Sequence, residues 1–226
     1  MSYLVVVAHP DDEILGAGAT ISKLTKQGEE VNICILSSKA EARKFKPSDK
    51  ELQDDCETAL KEIGIHKVIK GNFPNIKMNT VSHLDLVQFI ENAIVETNAD
   101  VIFTHHPSDL NNDHVQTSIA CQAAVRLFQR NKSVKPLKAL LYMEVLSSTE
   151  WALNSTVKSF SPNVFVEVGK SGVDLKVKSL SMYKGVMRDY PHPRSEETIN
   201  ALAVLRGSQA GCDYAEAFEL AFGRIV

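Results

Sequence analysis

No two cysteines in this chain stand close enough to share a metal or a redox motif. Cys34, Cys56, Cys121 and Cys212 form no C-x-x-C pair, which excludes zinc-knuckle and thioredoxin-type sites. Each is expected to be a small free thiol, buried or half-buried, since nothing points to an oxidising compartment. The chain also lacks a basic surplus. Its 25 Lys and Arg against 28 Asp and Glu leave a formal charge of −3, without the footprint of a nucleic-acid binder. No apolar run is long enough to span a membrane. The N-terminal run is too short, and lacks the basic start, for a signal peptide, so a cytoplasmic protein is expected. There is no internal repeat, low-complexity stretch or linker. With 226 residues, 44% hydrophobic and 23% charged, one globular domain over residues 1–226 is the simplest organisation.

What is present is alternation. Residues 3–8 are a continuous apolar run rich in β-branched side chains, the mark of a strand covered on both faces. Helical spacing follows over 14–27, with Gly28 as the stop. A second strand spans 30–36. Ser48 and Glu51 have the spacing of a capping box for a helix to about residue 63. Strands at 66–70, 100–104 and 139–145 alternate with helices at 81–96 and 114–130. A further strand is a candidate at 160–168. The remainder reads as helices over 173–187 and 196–205, with a short one across 214–218. The pattern predicts an α/β fold: a mostly parallel sheet with helices on both faces and a helical C-terminal segment packed on it.

Two polar concentrations interrupt this pattern, each directly after a strand. They are Ala8-His9-Pro10-Asp11-Asp12-Glu13 and the run from His105-His106 through Asp109 to Asn111-Asn112-Asp113-His114. Ligands of open α/β sheets bind at the carboxyl ends of strands, and right-handed crossovers bring both clusters to the same edge. Two carboxylates beside an imidazole repel unless a positive charge sits between them. A catalytic zinc takes three ligands from His, Asp or Glu and keeps a position open for water. His9 and Asp12, with Pro10 stiffening the turn between them, can face one metal, and His114 is the natural third ligand. Asp11 is then left beside the metal-bound water as general base, an arrangement suited to amide hydrolysis. The competing reading is a plain strand-to-helix turn capped by Asp. A cap needs one carboxylate, however, and not this cluster.

These motifs resemble those of the LmbE/PIG-L-like family of zinc-dependent N-deacetylases. The resemblance covers most of the chain. It implies Zn2+ held by His9, Asp12 and His114, Asp11 as base, and a Rossmann-like layer without a dinucleotide. It also implies substrates of the N-acetylglucosamine type, carried on small molecules, nucleotides or lipids. One position departs from the pattern. Many members carry a histidine three residues before the last ligand, held by the aspartate next to that ligand, to stabilise the oxyanion. Here that position is Asn111, while Asp113 is kept. An asparagine amide can donate to an oxyanion but cannot serve as a general acid. His192, between two prolines and beside Arg194, is therefore expected to enter the site and partner Asp113.

Arg43, Glu144 and Arg194 are the candidate substrate-binding residues, Arg43 for a phosphate on the sugar. Arg206 and Glu216 are expected to pair and fix the C-terminal helices. Trp151, the single tryptophan, can stack on a sugar face or close the core. His105 and His106 lack ligand spacing and are expected to pack or hydrogen-bond at the strand end. Gly16-Ala17-Gly18 lacks the third glycine of a dinucleotide loop and reads as a close helix–sheet contact. The leading functional reading is a metal-dependent N-deacetylase of amino sugars. A zinc amidohydrolase for non-sugar amides and a non-catalytic sugar or nucleotide binder are the alternatives. The ligand set itself accepts iron(II) as well as zinc.

Overall fold

Every residue of β1 (Ser2–Val7) is buried, and its side chains divide between two cores. Val5 and Val7 face one; Leu4, Val6 and the following Ala8 face the other. Burial on both sides is what the middle of a parallel sheet requires. Each Leu, Ile or Val so buried contributes about 1.5–3 kcal/mol. The computed structural model describes residues 1–39, 47–153 and 158–225. After β1 come α1 (Asp12–Lys26), β2 (Glu30–Ile35), α2 (Asp49–Glu62), β3 (Lys67–Lys70), a 3-10 turn (Met78–Thr80) and α3 (His83–Thr97). Then follow β4 (Val101–His105), α4 (Asn112–Ala124), α5 (Leu127–Arg130), β5 (Ala139–Met143), β6 (Val164–Glu167), α6 (Gly169–Met182), α7 (Glu196–Ala210) and β7 (Ala215–Gly223).

The strands form one sheet in the order β3-β2-β1-β4-β5-β7-β6. The first five run parallel, and β7 is antiparallel to both of its neighbours. Helices cover both faces. Ile14 and Leu15 of α1, Cys56 and Leu60 of α2, Leu180 of α6 and Ile199 of α7 share the core of Val5 and Val7. Ile90 of α3 and Cys121 of α4 share that of Leu4 and Val6. This is the mostly parallel α/β sheet that the alternation predicts. The capping box is also present: Glu51 N–H donates to Ser48 Oγ at 3.2 Å, and Ser48 N–H donates to the Glu51 carboxylate at 2.9 Å. Gly16 lets α1 approach the sheet, because a Cβ there would lie 2.4 Å from Met143 Sδ. Among the described residues no helix is long and apolar enough to cross a membrane.

The C-terminal segment differs from expectation. Residues 215–223 are not a helix but β7, inserted between β5 and β6. Alanine and glutamate favour helix intrinsically, which hides the period of two. Glu216 and Phe218 point to α1 and its core, whereas Glu219 reaches Lys158 at 2.7 Å. The expected Arg206–Glu216 pair does not form. Glu216 is buried against α1, accepting N–H bonds from Ala19 (3.2 Å) and Thr20 (2.7 Å) and an ammonium bond from Lys176 (2.6 Å). Helix α4 stops at Ala124, short of residue 130.

Candidate active site

β1 and β4 lie side by side, with Val6 opposite Thr104, yet the helices that follow them cover opposite faces. That divergence opens the crevice at the carboxyl ends of the strands where α/β folds bind ligands. His9, Asp11 and Asp12 enter it from the β1 side; Asp109, Asp113 and His114 enter from the β4 side. All six are less than 9% exposed.

Asp11 occupies the N-cap position of α1, but its side chain makes no cap hydrogen bond. The plain capping reading of this turn therefore fails. Its backbone is left-handed, at φ 102° and ψ −29°, a conformation that strains a non-glycine residue by about 1–3 kcal/mol. Arg194 Nη1 stands 3.6 Å from Asp11 Oδ2, and its Nε donates to Ser147 Oγ at 2.6 Å.

The candidate ligands converge on one oxygen. Asp12 Oδ2 lies 3.4 Å from His9 Nδ1 and 3.2 Å from His114 Nε2. These separations match the edge of a tetrahedron around a zinc-sized ion, ~3.3 Å for bonds of ~2.0–2.1 Å. The outer nitrogens establish the proton positions. Asp113 already accepts N–H bonds from Ile76 (2.5 Å) and Met78 (2.9 Å), and its Oδ2 meets His9 Nε2 at 3.0 Å. A carboxylate only accepts, so Nε2 bears the hydrogen and Nδ1 turns its lone pair toward Asp12. On the other side Asp109 Oδ2 faces His114 Nδ1 at 3.2 Å. His114 Nε2 is thereby left as a buried atom with no hydrogen-bond partner. With both imidazoles neutral, two lone pairs and a carboxylate would meet at one point, an arrangement that favours a cation there.

Charge shifts tell the same story. Burial opposes the protonated form of His114, yet Asp12 and Asp109 outweigh it and push its pKa up to about 10. Burial likewise opposes ionised Asp12, but His114 and His9 hold its carboxyl well below the usual range. The pocket attracts positive charge at this point, and its donors fit a three-ligand divalent-metal centre. A second group, His105, Asp109 and His114, is also close together but suits an ion poorly. Both Asp109 oxygens are engaged, by Ser148 Oγ and Asn111 N–H on one side and by Thr149 Oγ1 on the other. The His105 ring stacks on His114 at 3.8 Å and 15°, so their in-plane lone pairs run parallel and do not converge. Burial, reinforced by His114, lowers the His105 pKa to about 3. This neutral ring accepts the Ala8 N–H at 2.9 Å.

Asp109 is the residue that sequence reasoning passed over. It lies five positions before His114, outside any ligand spacing, and its only signal is a lone Asp in the loop after a strand. Partners of this kind orient metal-binding histidines. Asp109→Ala should weaken metal affinity about 10–100-fold while leaving Asp11 in place, measured by competition against a chromophoric chelator. The expected His192–Asp113 pair is replaced by His9–Asp113, because Asp113 lies beneath His9 and the Ile76–Met78 turn. His192 sits instead against Trp151, with ring centroids 5.7 Å apart, and its Nδ1 accepts the Arg194 N–H at 3.0 Å. Burial, then Arg194 and Arg188, lower its pKa. Asn111 caps α4, its side-chain oxygen accepting the Asp113 N–H at 2.9 Å.

Glu144 is not available to sugar hydroxyls. Arg206 engages both of its oxygens at 2.7 Å, a bidentate geometry that uses the carboxylate's best acceptor sites. Arg194 does reach the crevice, through Asp11. Arg43 lies outside the described residues. Trp151 is 45% exposed and so does not close the core.

Comparison with known proteins adds an independent line. The PIG-L family model, described as GlcNAc-PI de-N-acetylase, matches residues 4–125, a stretch that holds all three candidate ligands and Asp11. The uncharacterised deacetylase YaiS of Escherichia coli K12 is 24% identical over 189 residues, 80% of this chain and 89% of YaiS. Among solved structures, N,N'-diacetylchitobiose deacetylase from Pyrococcus horikoshii aligns with a TM-score of 0.79 at 18% identity, over 97% of this chain and 83% of that one. GalB, the 4-carboxy-2-hydroxymuconate hydratase of Pseudomonas putida KT2440, aligns with a TM-score of 0.79 at 19% identity, over 100% and 98%. At these identities the structural likeness is one of fold. The same fold thus carries a deacetylase and a hydratase, so function has to be argued from the site.

Proposed function

This chain belongs to the PIG-L family of deacetylases, and from that premise we propose that it is a zinc-dependent N-deacetylase. It removes the acetyl group from an N-acetylated amino sugar or sugar conjugate of the N-acetylglucosamine type, acting as a single domain in the cytoplasm. The observation that carries the proposal is the convergence of His9 Nδ1 and the orphaned His114 Nε2 on Asp12 Oδ2, with strained Asp11 alongside.

Zinc bound by His9, Asp12 and His114 would polarise the acetyl carbonyl and acidify water. Asp11 takes the proton of the attacking water and passes it to the leaving amine, after which acetate departs. Arg194, 3.6 Å from Asp11 Oδ2, steadies the Asp11 carboxylate. The Asn111 oxygen is spent on its cap, so its amide nitrogen is the donor offered to the oxyanion. His192, with Nδ1 accepting from Arg194, carries its hydrogen on Nε2 and presents a second donor toward the substrate. Asp113 acts through His9, fixing which nitrogen faces the metal.

The test is a screen of the zinc-reconstituted protein for acetate and free amine. N-acetylglucosamine, N,N'-diacetylchitobiose, a phosphate-linked N-acetylglucosamine and N-acetylated non-sugar amines are compared. Release from the sugars at the highest kcat/KM is expected. Release only from non-sugar amides would identify an amidohydrolase of another class, and saturable binding without turnover would identify a binder.

A further inference from the structure

Glutamate in the first turn of a helix ordinarily lies in solvent, where it interacts with the helix dipole. Glu13 does not: it is 0% exposed. Its two oxygens join two separate parts of the fold. Oε2 accepts the backbone N–H of Asp11 at 3.0 Å, and Oε1 accepts the hydroxyl of Tyr183 at 2.6 Å. Tyr183 is itself only 1% exposed and occupies the C-cap of α6. Helix α6 packs with α1 and α2 in one core, which also contains Cys56.

The Asp11 N–H that Glu13 accepts belongs to the residue whose backbone is left-handed. An L-residue stays in that region only when its surroundings over-determine it. Moving Asp11 to an ordinary extended φ would rotate its N–H away from Glu13, and the new position would re-aim the carboxylate. We propose that Tyr183, acting through Glu13, is a positioning residue that locks the Asp11 backbone in the conformation from which its carboxylate serves the metal cluster. The chain of contacts runs from the C-terminus of α6 to the turn after β1, so helix packing on the outer face sets the aim of the base. Glu13 acts by accepting two hydrogen bonds, and the lock needs no proton transfer through it. The inference rests on the reading of Asp11 as general base.

Three variants and two readouts test it. Tyr183→Phe keeps the ring and removes only the donor; it should lower kcat about tenfold, with KM and bound zinc unchanged. Glu13→Ala should lower kcat about a hundredfold, the effect of misplacing a catalytic group by ~1 Å. Glu13→Gln still offers an oxygen to the Asp11 N–H and an amide to Tyr183, and should return kcat to within about threefold of wild type. Crystal structures supply the second readout, independent of any substrate. Asp11 φ should stay near 102° in wild type and Glu13→Gln, and leave the left-handed region in Tyr183→Phe. Asp11 unmoved in Tyr183→Phe, or a loss that falls on KM or zinc content with kcat intact, overturns the proposal. Should Glu13→Ala fail to fold, Tyr183→Phe decides alone. If wild type deacetylates nothing, the functional reading fails, and the Asp11 backbone in the Tyr183→Phe crystal still decides whether the lock exists.

Discussion

Asp11→Asn will lower kcat about 10²–10⁴-fold, the usual contribution of a general base, with KM and zinc content unchanged. Asparagine is the right substitution because it tolerates the left-handed backbone observed at Asp11, φ 102°, better than other non-glycine residues. The turn should therefore keep its shape, while the group able to take a proton is lost together with the charge that faces Arg194. Alanine would mix that loss with added strain. A fall in kcat together with zinc content would mean that Asp11 is itself a ligand. An unchanged kcat would remove it from the mechanism.

Asp12→Asn should abolish metal binding, and with it turnover, while the fold survives. Asp12 Oδ2 is the oxygen that both His9 Nδ1 and His114 Nε2 face, and it also accepts the His9 backbone N–H at 3.0 Å. The amide oxygen of asparagine can keep the backbone bond but loses the charge that draws a cation between two lone pairs. Stability offers a second view of the same event. A ligand that binds only the folded state stabilises it by ~2.7 kcal/mol at one hundred times its Kd. Thermal unfolding of the wild type should thus shift upward with zinc, and Asp12→Asn should show no shift. A zinc-dependent rise in Tm in Asp12→Asn would place the ion elsewhere.

What could be read from the sequence follows physical rules. The strand at residues 3–8 was legible because burial on both faces leaves an unbroken apolar run. The grouping of His9, Asp11 and Asp12 is legible in outline because they occupy neighbouring positions in one turn. Pairs made only by the folded chain are not. Asp109 and His114 meet through the curl of a loop, Glu144 meets Arg206 across 62 positions, and Glu13 meets Tyr183 across 170. No local period records such pairs. Strand β7 reads as helix in the sequence for a related reason, since its alanines and glutamates have helical propensity and only pairing with β5 and β6 makes them a strand. The sequence places His192 with Asp113 because Asn111 stands where a histidine is usual and two prolines present His192 rigidly beside Arg194; its neighbours in the structure are Trp151 and Arg194.

The proposed mechanism depends on where one ion sits, and anomalous diffraction at the zinc edge from zinc-soaked crystals tests this directly. One peak is expected, ~2.0–2.2 Å from His9 Nδ1, Asp12 Oδ2 and His114 Nε2, with the Asp11 carboxylate outside the coordination sphere. A peak among His105, Asp109 and His114, or none at full zinc occupancy in solution, would contradict it.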